Sequence, residues 1–256
     1  MNSIPRIGFW KDTVSRCDAT DSLREPAKSV LYNTLPGLYS PRVFDNTRVL
    51  VLNKDCLECA QRLHRLKPAV LNLADDNFPG GAVEMGSGAQ EESIFRRTNI
   101  HRTLNLQTGF YPLRNIDTVY SPSVKIFKNR DGTLRPTMTD VAIITAPALR
   151  MPALVDGSLS EKDANILKHK IRMVLEVALY NKHTNIILGA MGCGAWKNPP
   201  GDVARCFQEV LREYKKYFQT IIFAILKVSQ SDYLVRDRRA LACNYTVFKS
   251  IIESSE

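Results

Sequence analysis

Short apolar runs alternate along the chain with longer amphipathic segments. Runs rich in β-branched and other aliphatic residues predict buried strands, and apolar residues recurring every three or four positions predict helices. The predicted strands are 47–52, 69–73, 119–127 (broken by Pro122), 141–145, 185–188 and 220–226. The predicted helices are 55–65 behind the cap Asp55, 90–107, 160–179 behind the cap Ser160, and 201–217. This alternation predicts an α/β sandwich, in which a sheet lies between two layers of helices.

The two ends of the chain add smaller elements to this pattern. Residues 1–40 predict a helical extension, with Asp21 or Ser22 as an N-cap, and residues 41–256 hold the alternating segments of the main domain. The tail at 244–252 is compatible with a helix or with a short edge element. A chain of 256 residues is long enough for one such domain with a sizeable core.

Two glycine-rich stretches each follow a predicted strand. The first is 79–92, with the sequence PGGAVEMGSGAQEE, and the second is 189–195, with the sequence GAMGCGA. Glycines let the main chain approach a ligand closely, and the N-terminus of a following helix adds about half a positive charge. In α/β sheets, ligands bind beyond the carboxyl ends of the strands. The two stretches therefore predict one site for an anionic ligand, although each is also compatible with a structural turn.

Two adjacent acids, Glu91 and Glu92, close the first stretch where a helix is predicted to begin. Cleaving a glycosidic bond requires an acid that protonates the leaving oxygen and a water molecule that traps the resulting cation. Acids are also favoured in the first turn of any helix by the helix dipole. Taken alone, the pair is compatible with either interpretation.

Four motifs in order resemble the microbial-type poly(ADP-ribose) glycohydrolases of the macrodomain superfamily. The first combines the glycines of 79–82 with the Gln-Glu-Glu of 90–92, separated by a spacer of seven residues. The others are VYSPSVKIF at 119–127, ITAPAL at 144–149 and LGAMGCGAWKNPP at 188–200. The likeness extends from about residue 16 to residue 248. It implies an α/β fold of three layers, α/β/α and macrodomain-like, with a mixed central sheet and the N-terminal helical extension packed on the domain.

The resemblance also implies an activity and a set of site residues. It implies a metal-independent hydrolase that needs no cofactor and cleaves the ribose–ribose O-glycosidic bonds of poly(ADP-ribose) to release ADP-ribose. Glu92 is then the catalytic acid and, later, the base for water, while Glu91 binds the distal ribose. The residues implied to bind substrate are Asp76, Asn77, Gly80, Gly81, Ala82, Val83, Gln90, Gly192, Cys193, Gly194, Ala195 and Trp196.

Two positions depart from the family pattern. Ala82 stands where the signature has a third glycine, and either Asp76 or Asn77 stands where an asparagine usually contacts the distal ribose. These departures favour one alternative, a macrodomain that binds ADP-ribose without cutting it. A second alternative keeps the fold but changes the bond: a hydrolase that removes single ADP-ribose units from protein or nucleic acid, with which the net charge of +9 is compatible.

Charge and cysteine content add expectations about partners and compartment. A net charge of +9 favours anionic partners, so besides poly(ADP-ribose) or an ADP-ribosylated macromolecule we expect a weak nucleic-acid contact through the basic surface. Cys56 and Cys59 form one Cys-x-x-Cys without a second pair, which argues against a zinc site. Residues 1–10 lack the features of a secretory signal, and no apolar run is long enough for a membrane span. We expect a monomer in a reducing compartment, cytoplasmic or nuclear.

Overall fold

The computed structural model describes residues 3–38, 42–227 and 243–254. Its main feature is a seven-stranded mixed sheet in the order β1-β4-β5-β3-β8-β9-β2. Strands β5, β3, β8, β9 and β2 are parallel, whereas β4 is antiparallel to both β5 and β1. A separate hairpin joins β6 to β7. The strands are β1 (Val30–Tyr32), β2 (Arg48–Leu52), β3 (Ala69–Leu73), β4 (Thr118–Lys128), β5 (Leu134–Ala146), β6 (Leu154–Val155), β7 (Ser158–Leu159), β8 (Asn185–Leu188) and β9 (Thr220–Ala224).

Helices cover both faces of the sheet. The core on one face is formed with α5, α6 and α7, and the core on the other face is formed with α3 and α4. The helices are α1 (Ser3–Ala19), α2 (Asp21–Arg24), α3 (Cys56–Arg62), α4 (Gln90–Arg97), α5 (Glu161–Tyr180), α6 (Pro200–Tyr214) and α7 (Asn244–Glu253). The predicted three-layer α/β/α fold is confirmed, and the tail takes the helical alternative. Among the described residues, no helix combines the length and the apolar character that a membrane span requires.

Both predicted helix caps of the main domain are confirmed by their hydrogen bonds. The carboxylate of Asp55 accepts from the backbone N–H groups of Leu57 and Glu58 at the start of α3. The hydroxyl of Ser160 accepts from the N–H of Asp163 at the start of α5. These bonds satisfy N–H groups that have no partner inside the helix, and they fix where each helix begins.

The helix predicted for 90–107 is wrong beyond Arg97. Thr98 is extended and forms an isolated bridge with Ile126, and the side chain of Asn99 accepts from the backbone N–H of Lys125. These bonds to β4 stop the helix, and two 3₁₀ turns at Ile100–Arg102 and Leu106–Thr108 take up the following chain. Pairing with a neighbouring strand therefore overrides the local helical pattern.

The N-terminal residues also differ in part from the sequence prediction. Thr20 occupies the N-cap position of α2, so the prediction of Asp21 or Ser22 as the cap is wrong. Within the predicted helical extension, β1 pairs with β4 and forms one edge of the main sheet. Three residues are too few to show a strand pattern in the sequence. The division into domains at residue 40 stays a prediction.

Helix α1 packs against the outer side of α4 and the end of β4. The ring of Trp10 lies 5.2 Å from that of His101 in an edge-on arrangement, and it contacts Phe95 at a centroid distance of 6.2 Å. The Nζ atom of Lys128 donates to Thr13 Oγ1 at 2.7 Å, and it forms an ion pair with Asp12 at 2.6 Å. This packing supports α4, the helix that carries the two adjacent acids, from behind.

Candidate active site

The site begins where α4 is fastened to the carboxyl end of β3. The Oε1 atom of Gln90 accepts from the N–H of Leu73 at 2.8 Å, and its Nε2 atom donates to the carbonyl of Leu71 at 2.7 Å. Gln90 therefore extends the hydrogen bonding of the strand and holds the first turn of α4 beside it. Gln90 therefore positions α4 against β3, and a direct contact of Gln90 with substrate stays a prediction.

Glu91 lies in a buried cradle of hydrogen-bond donors. Its Oε1 atom accepts from Asn72 Nδ2 at 3.2 Å and from the N–H of Gly80 at 3.1 Å, and its Oε2 atom accepts from the N–H of Asp75 at 2.7 Å. Burial raises the pKa of Glu91 to about 8, although these three hydrogen bonds act in the opposite direction. The side chain thus fastens the signature loop to the end of β3.

Glu92 has the same burial but a different set of contacts. Its Oε1 atom accepts from the N–H of Ala82 at 3.2 Å, while its Oε2 atom is buried without a hydrogen-bond partner among the described residues. Gly81 lies directly over the pair, because a Cβ atom built on it would be 2.8 Å from Glu92 Oε1 and 3.2 Å from Glu91 Oε2. One carboxyl oxygen at the glycine loop is therefore held by no other group among the described residues.

The loop over the acids requires two glycines but not three. Gly80 and Gly81 have φ angles of +81° and +55°, and a Cβ atom on Gly80 would lie 2.6 Å from the ring of Phe95. Ala82 has a φ of −99°, which any residue adopts without strain. Val83 is buried in the core, so only its backbone can face a ligand. The methyl group of Ala82 therefore causes no backbone strain in the signature loop.

The second glycine-rich loop is held together by Asn198. Its Nδ2 atom donates to the carbonyls of Leu149, Gly192 and Trp196, at 2.7, 3.2 and 3.2 Å. Gly192 has a φ of +74°, and a Cβ atom there would lie 2.6 Å from that of Ala148.

The middle of this second loop is open. Gly194 has no heavy atom within 4 Å of where a Cβ would stand, and Ala195 is exposed just before α6. Cys193 is half-buried, and burial raises the pKa of its thiol. The backbone at 194–195 is therefore accessible to a ligand, as the predicted site for an anionic ligand requires.

Arg150, which follows β5, bridges the two loops. Its Nη2 atom bonds Asp75 Oδ2 at 2.8 Å, its Nε atom bonds Asp76 Oδ1 at 2.9 Å, and its guanidinium lies 4.6 Å from the centre of the Trp196 ring. Asp76 also accepts from Asn77 Nδ2 at 2.6 Å. The candidate ribose residues Asp76 and Asn77 and the candidate aromatic residue Trp196 are thus linked through Arg150, a residue that the sequence analysis missed.

Three other residues at the acids or in the second glycine-rich loop also escaped the sequence analysis. Asn72, fully buried in β3, supplies a donor to Glu91, and a polar residue inside an apolar run is the signal that identifies it. Asn198 has no such signal. Tyr111 follows the 3₁₀ turn at Leu106–Thr108, and its hydroxyl is buried without a partner among the described residues. Burial raises the pKa of Tyr111, and the nearby charge of Glu91 raises it further.

Comparison with known proteins gives a consistent result. A model of the microbial-type PARG catalytic domain matches residues 15–129. The poly(ADP-ribose) glycohydrolase of Thermomonospora curvata has a similar fold, with a TM-score of 0.82 and 24% identity over 96% of this chain and 98% of that one. That of Deinococcus radiodurans, in complex with ADP-ribose, gives a TM-score of 0.67 and 31% identity over 81% of this chain and 84% of that one. No curated protein matches significantly.

These comparisons carry different weight. The Thermomonospora curvata structure, at 24% identity, supports the fold, and the Deinococcus radiodurans structure supports the family because its 31% identity extends over most of both chains. The chain has the glycine loop, the Gln-Glu-Glu sequence and the second loop in the order that the family signature requires. The chain therefore belongs to the microbial-type poly(ADP-ribose) glycohydrolases and is a hydrolase of that family.

Proposed function

We propose that this hydrolase cleaves the ribose–ribose O-glycosidic bonds of poly(ADP-ribose) and releases ADP-ribose, with Glu92 as its acid and base. The observation that carries the proposal is the buried, unpartnered Oε2 atom of Glu92, held at the glycine loop beside the end of β3. A carboxyl oxygen in this position can hydrogen-bond the glycosidic oxygen of a bound substrate. ADP-ribose is accordingly the product, and the remaining polymer is the leaving group.

The two loops supply complementary parts of the binding site. The accessible backbone of 194–195 and the N-terminus of α6 favour the diphosphate, since N–H groups and the helix dipole both attract anions. Gly80 and Gly81 let the distal ribose approach the acids without a side chain between them. The diphosphate charge, held beside the sugar, then stabilises the positive charge that develops at the anomeric carbon.

The reaction follows in two proton transfers. Glu92, in its protonated form, donates a proton to the leaving oxygen as the bond from the anomeric carbon to that oxygen breaks. The resulting carboxylate accepts a proton from a water molecule, whose oxygen bonds to the same carbon. Glu92 ends in its starting form, and the released sugar carries a new hydroxyl group.

Burial and contact geometry point to different acids in the pair. The raised pKa of Glu91, about 8, would by itself favour that residue as a proton donor. Its oxygens, however, accept three N–H bonds that hold the loop together. Since a proton donor needs an oxygen that no other group already holds, the geometry favours Glu92, and Glu91 positions the ribose.

The two alternatives remain open to experiment. The unstrained backbone of Ala82 removes one argument for a binding-only macrodomain. Asp76, at the second position that departs from the family pattern, is held by its hydrogen bonds from Arg150. The expectations of a monomer, of an intracellular reducing compartment and of a weak nucleic-acid contact stay predictions.

Release of ADP-ribose from radiolabelled poly(ADP-ribose) tests the proposal. We expect the Glu92→Gln variant to lose at least about 100-fold in kcat while still binding ADP-ribose in calorimetry. Glu84→Gln is the matched control, because Glu84 is an exposed acid in the same loop, and it should retain full activity. Wild-type protein that binds ADP-ribose but releases no more than Glu92→Gln would favour the binding-only macrodomain. Release only from mono-ADP-ribosylated protein or nucleic acid would favour the other alternative.

A further inference from the structure

A cavity opens at the same edge of the sheet as the acids. It has a volume of about 740 Å³ and lies between the end of β1, the loop before β4 and one face of α5. Ligand pockets in proteins are commonly about 300–1,000 Å³. None of the residues assigned to the reaction lines this cavity.

Sheet topology places this cavity in line with the active site. The second glycine-rich loop, 189–195, follows β8 and is called the diphosphate loop below. The acid pair is fastened to the end of β3, and Arg150 follows β5. The next strands are β4, antiparallel to β5, and β1, antiparallel to β4, so the start of β4 and the end of β1 lie at this same edge. With about 4.8 Å between strands, the cavity begins roughly 10–14 Å from β3. The loops and the cavity therefore form one row.

The wall of the cavity is joined directly to the active site. The loop that starts at Tyr111 continues through Leu113, whose N–H donates to the carbonyl of Asp76 at 2.7 Å. Two residues later, Asn115 accepts through its carbonyl from Lys170 of α5, a buried lysine. The same loop thus touches the ribose-binding side at one end and lines the cavity at the other.

The chemistry of the lining fits a nucleoside with a phosphate attached. Ile116 and Ile166 offer apolar surface, and the exposed ring of His169 can stack on a base. Arg114 is exposed and forms no ion pair among the described residues, so its guanidinium can bind phosphate, whereas the carboxylate of Asp117 in the same lining accepts from the backbone N–H of Arg114. The side chain of Asn33 is likewise exposed and has no hydrogen bond within the described part of the chain.

We propose that this cavity binds the adenosine of the leaving side of the polymer, which is the ADP-ribose unit that keeps the oxygen of the cleaved bond. The inference rests on the proposed function, since it requires a polymer lying across the acids. In a row that runs from the diphosphate loop past the acids, the next unit has to continue beyond β3 on the side of β4 and β1. The cavity then gives the enzyme a preference for polymer over single ADP-ribose units.

Two substrates separate this subsite from the catalytic centre. One is poly(ADP-ribose), and the other is ADP-ribose with a small fluorogenic aryl group attached at the anomeric carbon of the distal ribose. We expect Arg114→Ala and His169→Ala each to lower kcat/KM for the polymer about tenfold and to leave cleavage of the aryl substrate unchanged. Arg65→Ala and Asn165→Ala are the matched controls, because both residues are exposed and lie outside the cavity.

A binding experiment supplies a readout that is independent of turnover. In the Glu92→Gln background, we expect the dimer of ADP-ribose to bind more tightly than the monomer. Adding Arg114→Ala should lower the affinity for the dimer to that for the monomer and leave the affinity for the monomer unchanged. An unchanged polymer rate in both cavity variants, or an equal loss on both substrates, overturns the subsite. Wild-type protein that cleaves neither substrate overturns the proposed function itself, and the subsite with it.

Discussion

Glu91 and Glu92 are neighbours in sequence with different surroundings. Successive residues of a helix point about 100° apart, so Glu91 turns toward the end of β3 and Glu92 toward the backbone of Ala82. The first carboxyl group is surrounded by donors that belong to the fold. The second keeps one oxygen without a partner among the described residues. This asymmetry is what divides a positioning acid from a reacting one.

The raised pKa of Glu91 makes stability depend on pH. Its ordinary value is 4.5 and its value in the folded protein is about 8, so between these limits the folded state holds a proton that the unfolded chain has lost. The free energy of unfolding therefore falls as pH rises through this window, by at most about 1.4 kcal/mol per pH unit. Urea denaturation at a series of pH values should show this fall in the wild type and a flatter curve in Glu91→Gln.

The exposed acid Glu84 provides the control for this experiment. Glu84→Gln should keep the pH dependence of the wild type, because Glu84 is exposed and lies outside the hydrogen bonds that surround Glu91. Parallel curves for the wild type and Glu91→Gln would contradict the assignment of the raised pKa to Glu91.

Gly81 allows a test of how closely the loop approaches the acids. Gly81→Ala places a methyl group 2.8 Å from Glu92 Oε1 and displaces that carboxyl, for which we expect about a 100-fold loss of kcat/KM. Gly157→Ala is matched to it, since Gly157 also has a positive φ, +81°, but has open space around it. Both variants should lose about 1 kcal/mol of stability from backbone strain, and only Gly81→Ala should lose activity. Equal activity in the two would show that the methyl group does not disturb Glu92.

At the scale of elements, α4 is anchored by a buried ion pair. Arg97 Nη1 lies 2.8 Å from Asp55 Oδ1, with both side chains almost completely buried. The same Asp55 oxygen caps α3. One carboxylate thus joins the helix that carries the acids to the helix that precedes β3.

Removing this carboxylate should be costly. Asp55→Ala leaves the charge of Arg97 buried and the first N–H groups of α3 unpaired, so we expect a loss of about 3–5 kcal/mol in the free energy of unfolding. The control is Asp21→Ala, because the ion pair between Asp21 and Arg24 is exposed to solvent and should contribute less than about 1 kcal/mol. Urea denaturation monitored by circular dichroism measures both, and a small effect of Asp55→Ala would mean that Arg97 finds another partner.

Helix α1 supports the signature loop as well as α4. The Nη1 atom of Arg6 donates to the carbonyl of Gly86, and its guanidinium lies where a side chain on Gly88 would stand. Gly88 is therefore required for close approach of a neighbouring element, whereas Gly81 is required for approach to the carboxylates. These two positions of the first glycine-rich stretch thus require glycine for different physical reasons.

At the scale of the whole molecule, the net charge of +9 should act on a polyanionic substrate. Basic surface attracts a polyanion over several ångströms, and salt screens this attraction. We expect kcat/KM for poly(ADP-ribose) to fall severalfold between about 50 and about 300 mM KCl, with a smaller change for a fluorogenic derivative of a single ADP-ribose unit. Equal salt dependence for the two substrates would mean that the protein attracts the substrate electrostatically only at the active site. Unmodified RNA, added as a competitor at low salt, tests the expected weak nucleic-acid contact.

The accuracy of the sequence predictions followed the range of the interactions involved. Asp55 and Ser160 were correct as caps because their hydrogen bonds are local. The predicted helix after Gln90 was too long because Asn99 bonds to Lys125 of β4, which lies 26 positions later in the chain. Arg150 was missed because its partners Asp75 and Asp76 are 74–75 positions away.

The sequence by itself determined the order of strands and helices, the two glycine-rich loops and the candidate acids, since these depend on local periodicity and on motifs of adjacent residues. Only the tertiary structure decided which acid keeps a free oxygen, because that depends on the N–H groups that folding brings around Glu91 and Glu92. It also decided that Ala82 is harmless, since its φ of −99° is set by the loop as a whole. Hydrogen bonds between distant segments fix the chemistry of this site, and no local pattern in the sequence records them.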